Sequence, residues 1–336
     1  MQLGLDREFV DEAARAADRL AAPSAARPDE EPAGVPHRDL ARRVKTLLAA
    51  YRSPHSVLHG SEPAVAAAMT HLTALRALQT PSGLFAGGDN VQSPPDSAFT
   101  VNDVCDAHVL AVDAGPELGE VATALAEIAG AVSERLRTGG VHTPNHRWEL
   151  CAALARLHRS FPDDRLLDRV DAWLAEGVDI DAEGLYSERS AVYATHVSNP
   201  SLLLLADVLG RTDLRDAVER NLTATLDLIR PDASVETVHS RRQDQNHPFP
   251  LAHCLPHYRL LAIRTGRGDF SRAARLAAAG GIDDPDPLAQ TLLTPHPRRP
   301  PPAPEPPPLP PHRHFPTPRH PSLASPTARS PPYGRP

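Results

Sequence analysis

The stretch SNPSLLLLADVLGRTD, residues 198–213, marks both ends of one helix and indicates where that helix sits. Asn199 offers an N-cap oxygen, Pro200 suits a first helical position where its missing N–H is not needed, and Gly210 accepts the left-handed conformation that stops a helix. Between them Leu202 to Leu205 make the helix apolar around nearly its whole circumference, which requires burial on several sides. Helices of that kind form the inner ring when antiparallel helical hairpins close into a toroid. A plain bundle or an α-solenoid accommodates the same pattern, although no repeat regular enough to define a solenoid is present.

Working outward, helical periodicity recurs over roughly 7–21, 38–52, 62–79, 100–114, 117–137, 146–160, 164–175, 200–209, 213–229, 256–265 and 269–279. Short Gly, Pro or Asp punctuation makes many successive helices antiparallel neighbours. Ala and Leu dominate, aromatics are 4% of the chain, and β-branched runs are scarce. The expected fold is therefore all-α: an incomplete (α/α) toroid of antiparallel helical hairpins, with an N-terminal helical segment over 1–60, the toroid over 61–290 and a disordered Pro/Arg-rich tail over 291–336. Two segments break the helical rhythm, 79–100 and 176–200, and both suit the rim of a cleft. Residues 295–336 hold 18 of the 37 prolines, so no packed core can form there and polyproline II character is expected.

Formal net charge is -7, but the last 42 residues hold six arginines against one glutamate, which leaves the rest at -12. Such a body is no general nucleic-acid binder, because phosphate binding needs a basic surface. The three cysteines are odd in number and lack metal-ligand spacing, so they read as small buried hydrophobes. No metal and no cofactor is expected. The N-terminus has no cationic segment leading into an apolar core, and no run approaches the ~20 apolar residues of a membrane helix. The chain reads as cytoplasmic, with no membrane partner.

Three clusters carry candidate chemistry. In TPNHRWELCAALARLH, residues 143–158, Asn145 and His146 fall in the first helical turn, where free N–H groups and the helix dipole favour an anion. From His146 an apolar stripe continues through Leu150, Ala153, Leu154 and Leu157, so the imidazole stands at the end of a buried face. A structural histidine beside a capping Asn fits the same pattern. In DAEGLYSERSAVYATH, residues 181–196, a helix starting at Ser187 would place Arg189 and Tyr193 four apart on one face, where the guanidinium favours the phenolate. Two tyrosines packing their rings would look alike. In VETVHSRRQDQ, residues 235–245, Arg241, Arg242 and Gln243 read either as a solvated turn or as a local anion clamp.

Asn145-His146 at a helix start, followed some forty residues later by DAEGLYSERSAVY, resembles the (α/α)-toroid polysaccharide lyases of the heparinase II/III-like and oligoalginate lyase kind, over roughly residues 60–280. That resemblance implies β-elimination on a uronic-acid polysaccharide or oligosaccharide, with Asn145 and His146 against the uronate carboxylate. It implies Tyr193 near the glycosidic bond and Tyr186 as a supporting aromatic. Arg189, Arg241, Arg242, Gln243 and Trp148 are the accompanying substrate-binding candidates. The partner expected is an anionic glycan. Relatives commonly carry a β-sandwich after the toroid; the Pro-rich segment stands in its place, which implies a truncated and weakly active copy. Two other classes compete. Glycoside hydrolysis requires two carboxylates about 5–10 Å apart, for which Asp103, Asp106, Glu183 and Glu188 are available. A non-enzymatic helical glycan-binding or interaction protein would recruit its partner through the polyproline tail.

Overall fold

The computed structural model of the chain describes residues 5–87, 90, 92–294 and 298–305. Helices α1 (Arg7–Ala26), α2 (His37–Arg52), α3 (Glu62–Ala77), α4 (Pro94–Val112), α5 (Gly119–Thr138) and α6 (Pro144–Ser160) alternate between an outer and an inner position. They are followed by α7 (Asp164–Leu174), a short α8 (Ala191–Tyr193), α9 (Asn199–Leu209), α10 (Thr212–Leu226), α11 (Leu255–Thr265), α12 (Gly268–Ala278) and α13 (Asp286–Leu293). Burial separates the two positions. Outer α7 buries a single stripe, Leu166, Val170 and Leu174, four residues apart, each leucine contributing about 1.5–3 kcal/mol. Inner α4 buries residues on nearly every side, from Ala98 and Val101 to Cys105 and Leu110.

The inner helices α2, α4, α6 and α9 are neighbours in that order, and α13 returns to pack on α2, α4 and α1. One axial cavity of about 170 Å³ is lined from every inner position, by Lys45, Asp106, Glu149, Ser201, His257 and Gln290 among others. The fold is thus all-α and toroidal, its last inner helix abbreviated to 8 residues. Helices α1 and α2 pack on each other and against α3, α4 and α13.

The opening stretch is partly as expected. Gly210 ends α9 with φ 66°, and Leu202, Leu203 and Leu205 are buried. Asn199, however, caps nothing. Helical backbone already runs from Ala191 through a π-helical turn, Ala194–Ser198, because Pro200 has no N–H to give to the carbonyl four residues back. The Asn199 side chain instead accepts from the Tyr186 hydroxyl (2.8 Å) and donates to Asn221 (3.0 Å). The 79–100 loop is also shorter than expected, since Ser93 caps α4 and Pro94 occupies its first position.

A seven-residue hairpin recurs three times where an outer helix hands over to an inner one. Bridges join Gln79 to Phe85, Ile180 to Tyr186 and Ile229 to Val235. In each, the fifth residue has positive φ: Gly83 (86°), Gly184 (90°) and Ala233 (58°). The third hairpin widens into a two-stranded ribbon, β1 (Ser234–Val235) with β2 (Phe249–Pro250), which frames the loop bearing Arg241 and Arg242.

The Pro-rich region departs from expectation where it is described. Residues 291–293 belong to α13. Residues 298–305 lie against the body: the Arg298 carbonyl accepts from Asp6 N (2.8 Å), the Arg299 carbonyl from Arg259 (2.6 Å), and Glu305 N donates to Gly268 O (3.0 Å). The expected disorder over 295–297 and 306–336 falls outside the described residues.

Candidate active site at the inner-helix N-termini

Three consecutive inner helices open on a proline followed by polar residues: Pro36-His37-Arg38 at α2, Pro95-Asp96 at α4 and Pro144-Asn145-His146 at α6. Their first turns meet at one rim. Buried Asp96 pairs with Arg38 and lies 3.4 Å from His37 Nε2. The Arg38 guanidinium covers the Phe99 ring at 4.1 Å, and Phe99 stands edge-on to His146 at 6.3 Å. His142 meets the other side of His146 at 4.8 Å. Burial, aided by the charges of His142, Arg38 and Arg242, pushes the His146 imidazole down to about 4. It is therefore neutral near pH 7.

Fully buried Asn145 faces the second hairpin, where its Nδ2 donates to both carboxylate oxygens of Glu188, at 2.7 and 2.9 Å. Arg242 Nη1 lies 3.5 Å from the same carboxylate, while its Nη2 donates to the Tyr193 hydroxyl oxygen at 3.3 Å. The guanidinium also covers the Tyr193 ring at 4.6 Å. Tyr193 in turn donates to Gln243 Oε1 at 3.2 Å. Asn145, Glu188, Arg242, Tyr193 and Gln243 thus form one continuous polar chain. Burial raises the Glu188 carboxyl above the usual range, against the opposing pull of Asn145 and Arg242.

Two carboxylates fix this geometry. Asp179 accepts from Trp148 Nε1 (3.1 Å) and Ser187 (2.6 Å), tying α6 to the hairpin that carries Glu188. Asp244 accepts from Ser190 (2.9 Å), Ser240 (2.5 Å) and the Val192 N–H (3.3 Å), tying the Arg242 loop to the start of α8.

Several sequence assignments change. Helical backbone does not start at Ser187: Arg189 takes a left-handed φ of 51° and pairs with Asp181 at 3.2 Å, so the guanidinium on Tyr193 is Arg242's. Trp148 is fully buried with its N–H spent on Asp179, a packing residue and not a contact for a ligand. Tyr186 is likewise buried, its hydroxyl bound to Asn199. Arg241 is exposed and grips backbone, its Nη1 on the Ser187 carbonyl at 3.1 Å. Arg38, His142 and Phe99 escaped the sequence reading; the repeated proline-plus-polar helix openings were the available signal for Arg38.

About one to three turns along the same helices, the axial cavity holds a charge network. Lys45 pairs with Asp103 (2.6 Å) and Asp286 (2.9 Å), and Arg156 with Asp106 (2.9 Å). Buried Glu149 accepts from Asn102 (2.6 Å), and burial pushes its carboxyl up to about 7. Among the described residues no group of three or more His, Cys, Asp or Glu is arranged to hold a metal ion. Cys105, Cys151 and Cys254 are buried free thiols, pushed by burial to about 12, 12 and 11. No described helix is long and apolar enough to cross a membrane.

No family model matches the chain, and no curated protein matches it in sequence. Solved structures do share its fold. A polysaccharide lyase superposes with TM-score 0.53 at 13% identity, over 80% of this chain and 83% of that one. A sugar epimerase from a ruminal bacterium gives 0.50 at 13% identity, over 73% and 75%. The Lin0763 protein of Listeria innocua gives 0.50 at 11% identity, over 81% and 84%. At such identities the likeness establishes the helical toroid, which carbohydrate-processing enzymes also use.

Proposed function

We propose that the chain is a carbohydrate-processing lyase that cleaves a uronic-acid polysaccharide or oligosaccharide by β-elimination. The observation that carries this reading is that a buried amide and a guanidinium, Asn145 and Arg242, already grip a carboxylate within one residue's reach of the Tyr193 hydroxyl. The polysaccharide lyase among the structural neighbours agrees with it. In β-elimination the proton α to the uronate carboxylate leaves, the bond to the glycosidic oxygen breaks, a carbon–carbon double bond forms, and the leaving oxygen takes up a proton. Negative charge builds on the carboxylate during the first of these events. Asn145 and Arg242 offset it as preorganised donors. Neutral His146 is the form that accepts the α-proton, and Tyr193 supplies a proton to the leaving oxygen.

Hydrolysis is less well supported, because Asp103 and Asp106 are committed to Lys45 and Arg156, and Glu183 is exposed on its hairpin. The test is ultraviolet absorbance of the unsaturated product across a panel of uronans, without added metal. Tyr193→Phe and His146→Ala are expected to lower the rate about 100-fold or more. New reducing ends without the chromophore would favour hydrolysis, and a folded protein yielding neither sinks the enzymatic reading.

A further inference from the structure

The carboxylate receptor is already filled, by a carboxylate of the chain itself. Glu188 presents both oxygens to Asn145 Nδ2 and one to Arg242, with its side chain only 11% exposed. The backbone is bent to put it there. Arg189, the next residue, holds a left-handed conformation unfavourable for a side-chain-bearing residue, and its guanidinium is anchored on Asp181. Arg241 clamps the other flank, its N–H on the Glu188 carbonyl at 3.0 Å and its guanidinium on the Ser187 carbonyl. Among the described residues the Asn145 amide oxygen has no hydrogen-bond partner although it is buried, so the amide is oriented through its nitrogen, by Glu188. We propose that Glu188 is an internal stand-in for the substrate's carboxylate, displaced when an acid-bearing sugar binds, and that it lowers the site's affinity for such sugars. This rests on the reading of Asn145 and Arg242 as the carboxylate receptor.

Exchange of one carboxylate for another leaves every donor satisfied. A neutral sugar offers no such replacement: seating it would strand the Asn145 amide, which is fully buried, at the cost of an unpaired donor, and would leave Arg242 without its carboxylate. The donors themselves therefore disfavour neutral sugars, and Glu188 weakens the binding of acidic ones by direct competition. A positioning residue would do the opposite, since its removal would disorder the receptor. The two roles predict affinity changes of opposite sign.

The experiment is calorimetric titration of D-glucuronate, D-galacturonate and neutral methyl glucoside into the full-length protein and its Glu188→Ala, Glu188→Gln and Asn145→Ala variants. Glu188→Ala is expected to bind at least one uronate 10-fold or more tighter than the parent, with no gain for the methyl glucoside and none in Asn145→Ala. The same uronate should raise the melting temperature of Glu188→Ala more than that of the parent. Glu188→Gln keeps the side-chain volume but sets an amide against donors, so it should gain affinity too; it decides the matter if the alanine variant fails to fold. Equal or weaker uronate binding by both variants, or no binding by any protein, overturns the proposal. Uronate affinity that rises without any unsaturated product from any uronan would sink the lyase reading alone. Product formation by the parent with affinity lost in both Glu188 variants would sink this one alone.

Discussion

Glu149 and His257 line the same axial cavity and pay opposite costs for being there. Burial lifts the Glu149 carboxyl to about 7 and lowers the His257 imidazole to about 4. For Glu149 the folded value lies above the unfolded one, so folding retains a proton. Stability is then fully present below the ordinary carboxylate range, near ~4.3, and is lost as pH rises through about 7. For His257 the folded value lies below ~6.5, so stability is full above that pH and falls as pH drops toward about 4. Glu149→Gln should accordingly stabilise the protein more at pH 8 than at pH 5 relative to the parent, in thermal melts at both values. An equal effect at the two would show that Glu149 titrates normally. At the rim, Arg242→Ala should cost about 100-fold or more in uronan turnover, whereas Arg189→Ala, which loosens a hairpin, should cost far less. Sequence spacing put the guanidinium of Tyr193 at Arg189, four residues away. It was misleading because an α-helix was assumed through a residue whose φ is positive, a feature the residue type does not announce. Asn145, His146 and Tyr193 do come to one rim, since a first-turn position is legible from Pro144; Glu188's grip on Asn145 joins residues 43 apart and left no local trace.

Among the elements, the first two hairpins leave no room for a side chain at their glycines. A Cβ on Gly83 would come 1.9 Å from the Ala131 carbonyl oxygen, and one on Gly184 would come 2.6 Å from that of Arg220. With φ also positive, Gly83→Ala should lose about 2–3 kcal/mol in denaturant unfolding. The third hairpin carries alanine at the matching place, φ 58°, so Ala233→Gly should gain about 0.5 kcal/mol, the relief of a left-handed side chain exceeding glycine's entropy by roughly that much. If both substitutions destabilise equally, the hairpins are not equivalent. Helices were the legible part, because a repeat of 3.6 residues is written into each one's apolar positions. The hairpins were not, since only a six-residue spacing and one conformational demand unite them, and Ala233 breaks even the glycine pattern. Nor does the apolar pattern of α9 reveal that helical backbone begins eight residues earlier, at Ala191.

At the level of the whole molecule, the ring is held where its first and last segments meet. Asp6 pairs with Arg259 at 2.8 Å and donates its N–H to Arg298, and residues 298–305 lie along α12 and the start of α1. A chain ending at Thr294 should melt lower than one ending at Glu305, by roughly 2–4 °C per kcal/mol lost. Identical melting of the two would mean the docked stretch contributes nothing. Composition foretold extended, proline-rich backbone there but not its docking, which depends on carbonyls that any residue supplies. Closure has a further consequence for biosynthesis. Lys45 sits between Asp103 and Asp286, so one of its two counter-ions leaves the ribosome some 240 residues after it does. Until then the emerging polypeptide holds an ammonium group in a half-built interior open to water. The two turns of α13 thus act as a keystone, and a nascent chain that stops short of Asp286 leaves the arch unfinished.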